Sequence, residues 1–192
     1  MMKNYEKNVA EKNKACDLLI EFKESENPGN DSIDSLLPEI KGMEEIEKVL
    51  NNTEAYFYIK ESEFYDVVTV DLYSNPILAI EEFKKTPTIA IKKVIPLDLV
   101  VPSLKENIIR DVLNLASIKI KNNESFTVKC EIRNKRYIKS KEQLIYQIID
   151  EICNKLKYNY DEKNPHWTII IEEFGKNTGI GINKTQNIFI NQ

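Results

Sequence analysis

Five cationic side chains fall within nine residues, Arg133, Lys135, Arg136, Lys139 and Lys141, in the segment IRNKRYIKSKEQ. Guanidinium groups offer two-pronged forks that match phosphate oxygens, and ammonium groups act as compact point charges. Lys119, Lys121 and Lys129 extend the band upstream, where Glu124 and Glu131 are the intervening acids. Ser140, followed three residues later by Gln143, has the spacing of a helix-capping box. The free N–H groups and positive dipole end of that helix add to the attraction for anions. Tyr137 supplies a ring on which an unpaired base could stack. Two readings fit this segment: a seat for nucleic-acid phosphates, or a solvated face in a chain heavy in Ile, Lys and Asn.

Little else nominates a reacting group. His166 is the one histidine, so a nucleophile-histidine arrangement needs a Ser or Cys partner to which no spacing points. Its neighbours Pro165 and Trp167 make it a strand-entry residue, with RNA contact and acid-base catalysis as alternatives. HExxH, CxxC and GxxxxGK[ST] do not occur, which removes the usual zinc, redox and nucleotide-phosphate motifs. Gly175, Gly179 and Gly181 lie in GKNTGIG before a strand, not at a helix start, and read as a hairpin turn. Glu81-Glu82 and Glu172-Glu173 are sequence neighbours whose side chains point apart in a helix or strand, so they read as solvated acids. Cys16, Cys130 and Cys153 are widely spaced among apolar residues and read as small buried hydrophobes in a reducing compartment. No catalytic residue, metal site or cofactor is expected.

The scaffold for this segment is 192 residues long and 42% apolar, enough for one large domain or two small ones. A chain of this size buries ~70% of the surface exposed on unfolding, so no disulfide or metal is needed to complete a core. No stretch approaches the ~20 apolar residues of a membrane helix. The polar start, Met1 to Lys14, lacks the apolar centre of a signal peptide, so a soluble, cytoplasmic protein without membrane contact is expected. The net charge of -4 conceals an asymmetry. Residues 1–100 carry 12 basic and 20 acidic groups, whereas residues 101–192 carry 15 and 11, a distribution that confines any polyanion site to the second half.

The order of elements points to an α/β (α+β) fold. CDLLIEFK reads as a buried strand from Cys16. Ile33, Leu36 and Leu37 have helical spacing ended by Pro38, and a second short helix runs from Met43 to Leu50. Strands follow at Ala55 to Ile59 and Val67 to Leu72, then a helix started by Asn75-Pro76 and stopped at Thr86-Pro87, then a strand over IAIKKVI. Strand, helix, strand, strand, helix, strand is the ferredoxin-like βαββαβ plan, assigned to residues 15–95. Pro96 and Pro102 bracket LDLVV, read as a stiff connector. A second α/β domain, residues 96–192, opens with a helix capped by Ser103 and Glu106. It continues with a strand over SFTVKCEI and a helix striped by Ile145, Ile148, Ile149, Ile152, Cys153 and Leu156. The strand WTIII and a last one ending near Ile190 close it.

From Ile95 to Ile182 these elements resemble a THUMP domain, an RNA-binding module of tRNA-modifying enzymes. The resemblance is carried by KVIP, the helix after Ser103, SFTVKCEIRNKR, the capped Ile-rich helix and NPHWTIIIEEF followed by a small-residue turn. Phe126, Val128, Arg133, Arg136, Asn164, Pro165 and Glu172 occupy the family's motif positions. With SNPILAIEEFKKTP upstream and the acidic first half, the chain is similar to the stand-alone THUMP proteins that serve as adaptors for tRNA cytidine acetylation. The resemblance implies a non-catalytic protein that binds the acceptor stem and 3′ end of tRNA and presents it to a separate acetyltransferase for N4-acetylcytidine formation. The expected RNA contacts are Lys129, Arg133, Lys135, Arg136, Tyr137, Lys139, Lys141 and Asn164. Exchanging Arg133 and Arg136 for Glu is expected to abolish tRNA retention without unfolding. With the sequence ending at Gln192, none of the methyltransferase, deaminase or thiouridine-synthesis domains of larger members is expected. The alternatives are a stand-alone RNA-modifying enzyme using His166, Glu172 or Glu173, and an interaction module whose acidic half binds a basic protein.

Overall fold

A computed structural model describes residues 16–24 and 37–191. The spacing read at Ile33 and Leu36 and the leader Met1 to Lys14 lie outside these residues. The described chain forms two five-stranded sheets, and β1 (Leu18–Phe22) is buried along its whole length at the centre of the first. It is followed by α1 (Leu37–Leu50), β2 (Phe57–Glu61), β3 (Val67–Leu72), α2 (Pro76–Lys85) and β4 (Ile91–Pro96), which is the strand and helix order read from the sequence. Pro38 does not end a helix. It sits in the first turn of α1, where its missing N–H has no intrahelical partner to lose. At α2, Asn75 Oδ1 accepts the Ile77 N–H at 2.9 Å, and the helix stops at Thr86.

The alternation in β3 separates two cores. Val68, Val70 and Leu72 face α1 and α2 with Leu18, Ile20, Phe22, Ile46, Ile80, Phe83 and Val94. Val67 points the other way, into a core shared by the two sheets, with Cys16, Leu19, Ile95, Leu97, Ile170 and Phe174. Both faces of β1 are therefore covered, which accounts for its continuous apolar pattern.

The second sheet contains β5 (Leu99–Pro102), β6 (Ser125–Ile132), β7 (Asn159–Tyr160), β8 (Trp167–Glu173) and β9 (Asn177–Lys184), in the order β5-β9-β8-β6-β7. LDLVV contributes β5 instead of a bare connector. Pro102 is tolerated because β5 is an edge strand. Against this sheet pack α3 (Lys105–Lys119) and α4 (Lys141–Glu151), the latter continuing as a π-helical turn to Leu156 that Lys157 ends at φ 60°. The isoleucine stripe of α4 meets Phe126, Val128, Ile169, Ile171, Ile180 and Ile182. Ser103 does not cap α3. It is buried, donates to the Gly175 carbonyl at 2.8 Å and lies 2.8 Å from Thr178 Oγ1, leaving Leu104 at the cap position.

Gly175 has φ 92° in the β8–β9 turn, the left-handed conformation a side chain would strain. Gly181 lies within β9, where a Cβ would stand 2.4 Å from the Pro96 carbonyl oxygen, so its lack of a side chain sets how closely β9 approaches β4. β4 and β5 lie in different sheets on either side of residue 97, and β10 (Phe189–Ile190) returns to the first sheet to pair with β4.

Candidate nucleic-acid interface

The basic segment leaves the C-terminal end of β6 and enters α4, and its first residue departs from expectation. Arg133 is not available to phosphate: its side chain is 9% exposed, with Nη2 2.5 Å from Glu21 and Nη1 3.0 Å from Glu172. Nη1 also donates to the Glu173 carbonyl, and Asp66 lies 3.7 Å from Nε. Lys93 occupies the same cluster, 2.7 Å from Glu21 and 2.8 Å from Glu172, and Lys92 reaches Glu21 from its exposed side. Burial opposes the charged forms of Glu21, Lys93 and Arg133, yet the pairing outweighs it. Hydrogen bonds from Lys92 and Lys93 and the charges of Lys93 and Arg133 hold the Glu21 carboxyl below the usual range. Glu172 and Glu21 together hold Lys93 and Arg133 above theirs.

Glu172 and Glu173 are not solvated acids either. They point apart as strand neighbours must, but both faces of β8 are covered, leaving them 3% and 0% exposed. Glu173 is satisfied by backbone donors: the N–H groups of Arg133 at 2.8 Å, Asn134 at 2.6 Å and Gly175 at 2.7 Å. These bonds tie the base of the basic loop to the β8–β9 turn.

Beyond this anchor Lys135, Arg136 and Lys139 are exposed. The Arg136 guanidinium lies 5.8 Å from the centroid of the Tyr137 ring. Tyr137 is half-buried and packs on the isoleucine core, so its ring is not an open stacking face. Lys141 pairs with Glu131 at 3.2 Å. With the exposed Lys129 it borders a cavity of about 350 Å³ whose other walls include Lys93, Glu172, Ile145, Ile170, Ile188 and Ile190. This cleft lies where the two sheets meet, and no single stretch of sequence announces it.

Ser140 caps α4 as expected, accepting the Gln143 N–H at 3.2 Å. Its hydroxyl also donates to Glu142 at 3.1 Å. A backbone N–H and this hydroxyl lower the pKa of Glu142, so the positive end of α4 already holds a carboxylate. An acid in the first turn is the sequence signal for this.

The structure does not bring Asn164 to the basic loop. It is exposed in the turn before β8, where Asp161 Oδ1 accepts its N–H at 3.0 Å. β8 runs parallel to the eight-residue β6, which separates the two ends by about 25 Å. His166 is at the Asn164 end, its Nδ1 accepting the Ser125 N–H at 3.1 Å and lying 2.8 Å from Ser125 Oγ. Close by, Glu124 accepts from Trp167 Nε1 at 2.7 Å and pairs with Lys184 at 2.5 Å, while Lys184 lies 4.2 Å from the Trp167 ring centroid. Lys184, the indole N–H and the Lys121 backbone N–H pull the Glu124 pKa down to about 2. Burial pushes the Cys130 thiol up to about 12, in keeping with an inert hydrophobe. Among the described residues no cluster of His, Cys, Asp or Glu could hold a metal, and no helix is long and apolar enough to cross a membrane.

Residues 105–183, from α3 into β9, match the profile of the THUMP domain. The chain contains a THUMP domain. The fold as a whole is similar to PH1313 from Pyrococcus horikoshii Ot3, with TM-score 0.65, 18% identity and 87% of this chain against 53% of that one. It is also similar to a 4-thiouridine synthetase in complex with RNA and bound ATP, with TM-score 0.59, 17% identity and 88% against 41%. A third similar structure is a possible methylase from Clostridium difficile 630, with TM-score 0.54, 12% identity and 90% against 42%. At these identities the likeness is one of fold, and the chain spans about half or less of each of these proteins. No curated protein matches it. The THUMP domain contains every exposed cation of the basic loop and its anchor residues Arg133, Glu172 and Glu173, whereas Glu21 and Lys93 come from the preceding sheet.

Proposed function

We propose that this chain is a non-catalytic tRNA-binding adaptor that presents tRNA to a separate acetyltransferase for N4-acetylcytidine formation. The observation that carries the proposal is the THUMP domain over residues 105–183, displaying Lys135, Arg136 and Lys139 on an exposed loop whose base is fixed by buried ion pairs. The similar synthetase structure, solved with RNA, supports the same direction. On this reading Lys129, Lys135, Arg136, Lys139 and Lys141 contact phosphates of the acceptor stem and 3′ end, and Arg133 positions the loop without touching RNA.

Phosphate contacts of this kind make affinity fall with salt at a log-log slope of ~0.7 to 0.9 per neutralised charge. The test is a tRNA-binding series over salt with Arg136→Gln and Lys139→Gln combined. The slope is expected to flatten by roughly 1.4 to 1.8, and an unchanged slope overturns the assignment. The adaptor role is tested by incubating pure protein with tRNA and acetyl-CoA and measuring acetylcytidine by mass spectrometry. Product is expected only after the acetyltransferase is added, and product without it favours the stand-alone enzyme reading.

A further inference from the structure

The β2–β3 hairpin forms the outer edge of the first sheet, in which β2 pairs with β3 and, among the described residues, with no strand on its other side. Phe57 and Ile59 face the helices, so the alternation turns Tyr58 and Lys60 to the opposite face. Four tyrosines of this hairpin and its flanks, Tyr56, Tyr58, Tyr65 and Tyr73, are 65 to 80% exposed. Tyrosines so exposed on one edge are unusual in a solvated surface and common at the centres of protein interfaces, where they bring large contact area with little entropy to lose. Edge strands are ordinarily guarded by lysine, proline or a covering element. β2 has no proline, and its lysine, Lys60, is drawn back to Asp71 at 2.6 Å.

The charge of this edge selects the occupant. From Glu54 to Asp71 the chain carries Glu54, Glu61, Glu63, Asp66 and Asp71 against Lys60 alone. At the end of β2 a cavity of about 270 Å³ is lined by Glu39, Glu61, Ser62, Phe64 and Tyr65 among others. Burial, followed by the charge of Glu61, raises the pKa of Glu39. An ammonium or guanidinium group entering here would meet both acids and an aromatic wall. RNA phosphates would be repelled, and a second copy of the chain would set the same carboxylates against themselves.

We infer that the β2 edge is a protein-docking surface that takes an extended, Lys- or Arg-bearing segment of a partner protein by strand addition, with one basic side chain seated between Glu39 and Glu61. Main-chain bonds along an open edge supply affinity in this mode, and side-chain pockets supply selectivity. The inference goes beyond RNA binding and does not depend on the partner being the acetyltransferase.

The test uses the full chain, produced in the cells it comes from, with a benzophenone amino acid at position 58 or, separately, 65, and a third probe at position 135. The probe at 58 is expected to give one protein adduct whose attached peptide has Lys or Arg within a few residues. Glu61→Lys in the same chain is expected to lower its yield by about tenfold or more, because like charges then face each other across the interface. Adducts with RNA, with a second copy of the chain or with peptides lacking basic residues overturn the inference, as does the absence of adducts from both hairpin probes. The probe at 135 reports RNA independently, so failure of the tRNA reading and failure of this one leave different patterns.

Discussion

Removing the Arg133 side chain separates its two conceivable roles. If it served as a phosphate ligand, Arg133→Ala would weaken RNA binding and leave stability alone. The structure requires the reverse. The guanidinium is 9% exposed and satisfies Glu21 at 2.5 Å and Glu172 at 3.0 Å, and breaking a buried pair from one side typically costs about 3 to 5 kcal/mol because the remaining charge stays buried. Lys93, 2.7 Å from Glu21 and 2.8 Å from Glu172, is left to pair with both acids, which places the expected loss near the lower end, about 3 kcal/mol. For a chain of this size that corresponds to a fall in melting temperature of roughly 6 to 12 °C.

Urea titration followed by circular dichroism, with Arg136→Ala as the control, measures this. The exposed Arg136 is expected to stay within about 0.5 kcal/mol of the parent while weakening tRNA binding, and Arg133→Ala is expected to show the opposite pattern below its transition. An unshifted midpoint together with lost tRNA affinity would refute the reasoning. On the same geometry, exchanging Arg133 and Arg136 for Glu is expected to destabilise the fold, contrary to the reading from sequence. A glutamate at position 133 would set a third carboxylate beside Glu21 and Glu172.

Glu124 has a folded-state pKa of about 2 against 4.5 for the free side chain, so its contribution is complete above pH 4.5 and fades as pH falls towards 2. The melting temperatures of the parent and Glu124→Gln should therefore differ near neutrality and converge in acid, and a difference that grows in acid would contradict the sign. Cys130, held at about 12, should resist alkylation at pH 8 in the native protein while the half-buried Cys153 reacts, as peptide mapping would show; equal labelling would sink the burial argument. Ser103→Ala, which leaves the Gly175 carbonyl and Thr178 hydroxyl without their buried partner, should cost about 1 to 3 kcal/mol in urea titration, and a neutral result would mean that Ser103 is not the clasp between β5 and the β8–β9 turn.

The parts of the fold that were legible are those with a strong period or a local cap. The isoleucine stripe of α4, the alternation of β3 and β6 and the Asn75-Pro76 start all depend on neighbours a few residues away. β5 was not legible because a four-residue segment ending in Pro102 becomes a strand only when β9 lies alongside. Ser103 carried the pattern of a cap, but its hydroxyl is claimed by residues more than 70 positions later. The same limit applied to the site. Local density identified the exposed Lys135, Arg136 and Lys139, but nothing local distinguished Arg133, whose partners Glu21 and Glu172 lie 112 and 39 residues away. Glu21 did leave a trace, since a carboxylate inside the strand LLIEF has to find a cation or several hydrogen-bond donors if both faces of that strand are buried.

Arg133 is also the point at which the two proposed surfaces meet. Its backbone begins the loop that carries Lys135, Arg136 and Lys139, while its guanidinium reaches Glu21 in β1 and Asp66 in the β2–β3 turn. The basic loop is thus tied to the first sheet through the buried Glu21, whose strand pairs with β3 at Val67, and through a longer contact to the half-exposed Asp66 of the hairpin turn. On the adaptor reading this is the functional content of the ion cluster: a partner on β2 and RNA on the loop meet at the high effective concentration that a fixed geometry provides, with no reacting group needed in this chain. Arg133→Ala, assayed below its transition, is then expected to leave the separate affinities for tRNA and for the partner nearly unchanged while slowing acetylation of the presented tRNA. If acetylation slows only in proportion to lost tRNA affinity, the two surfaces are not coupled through Arg133.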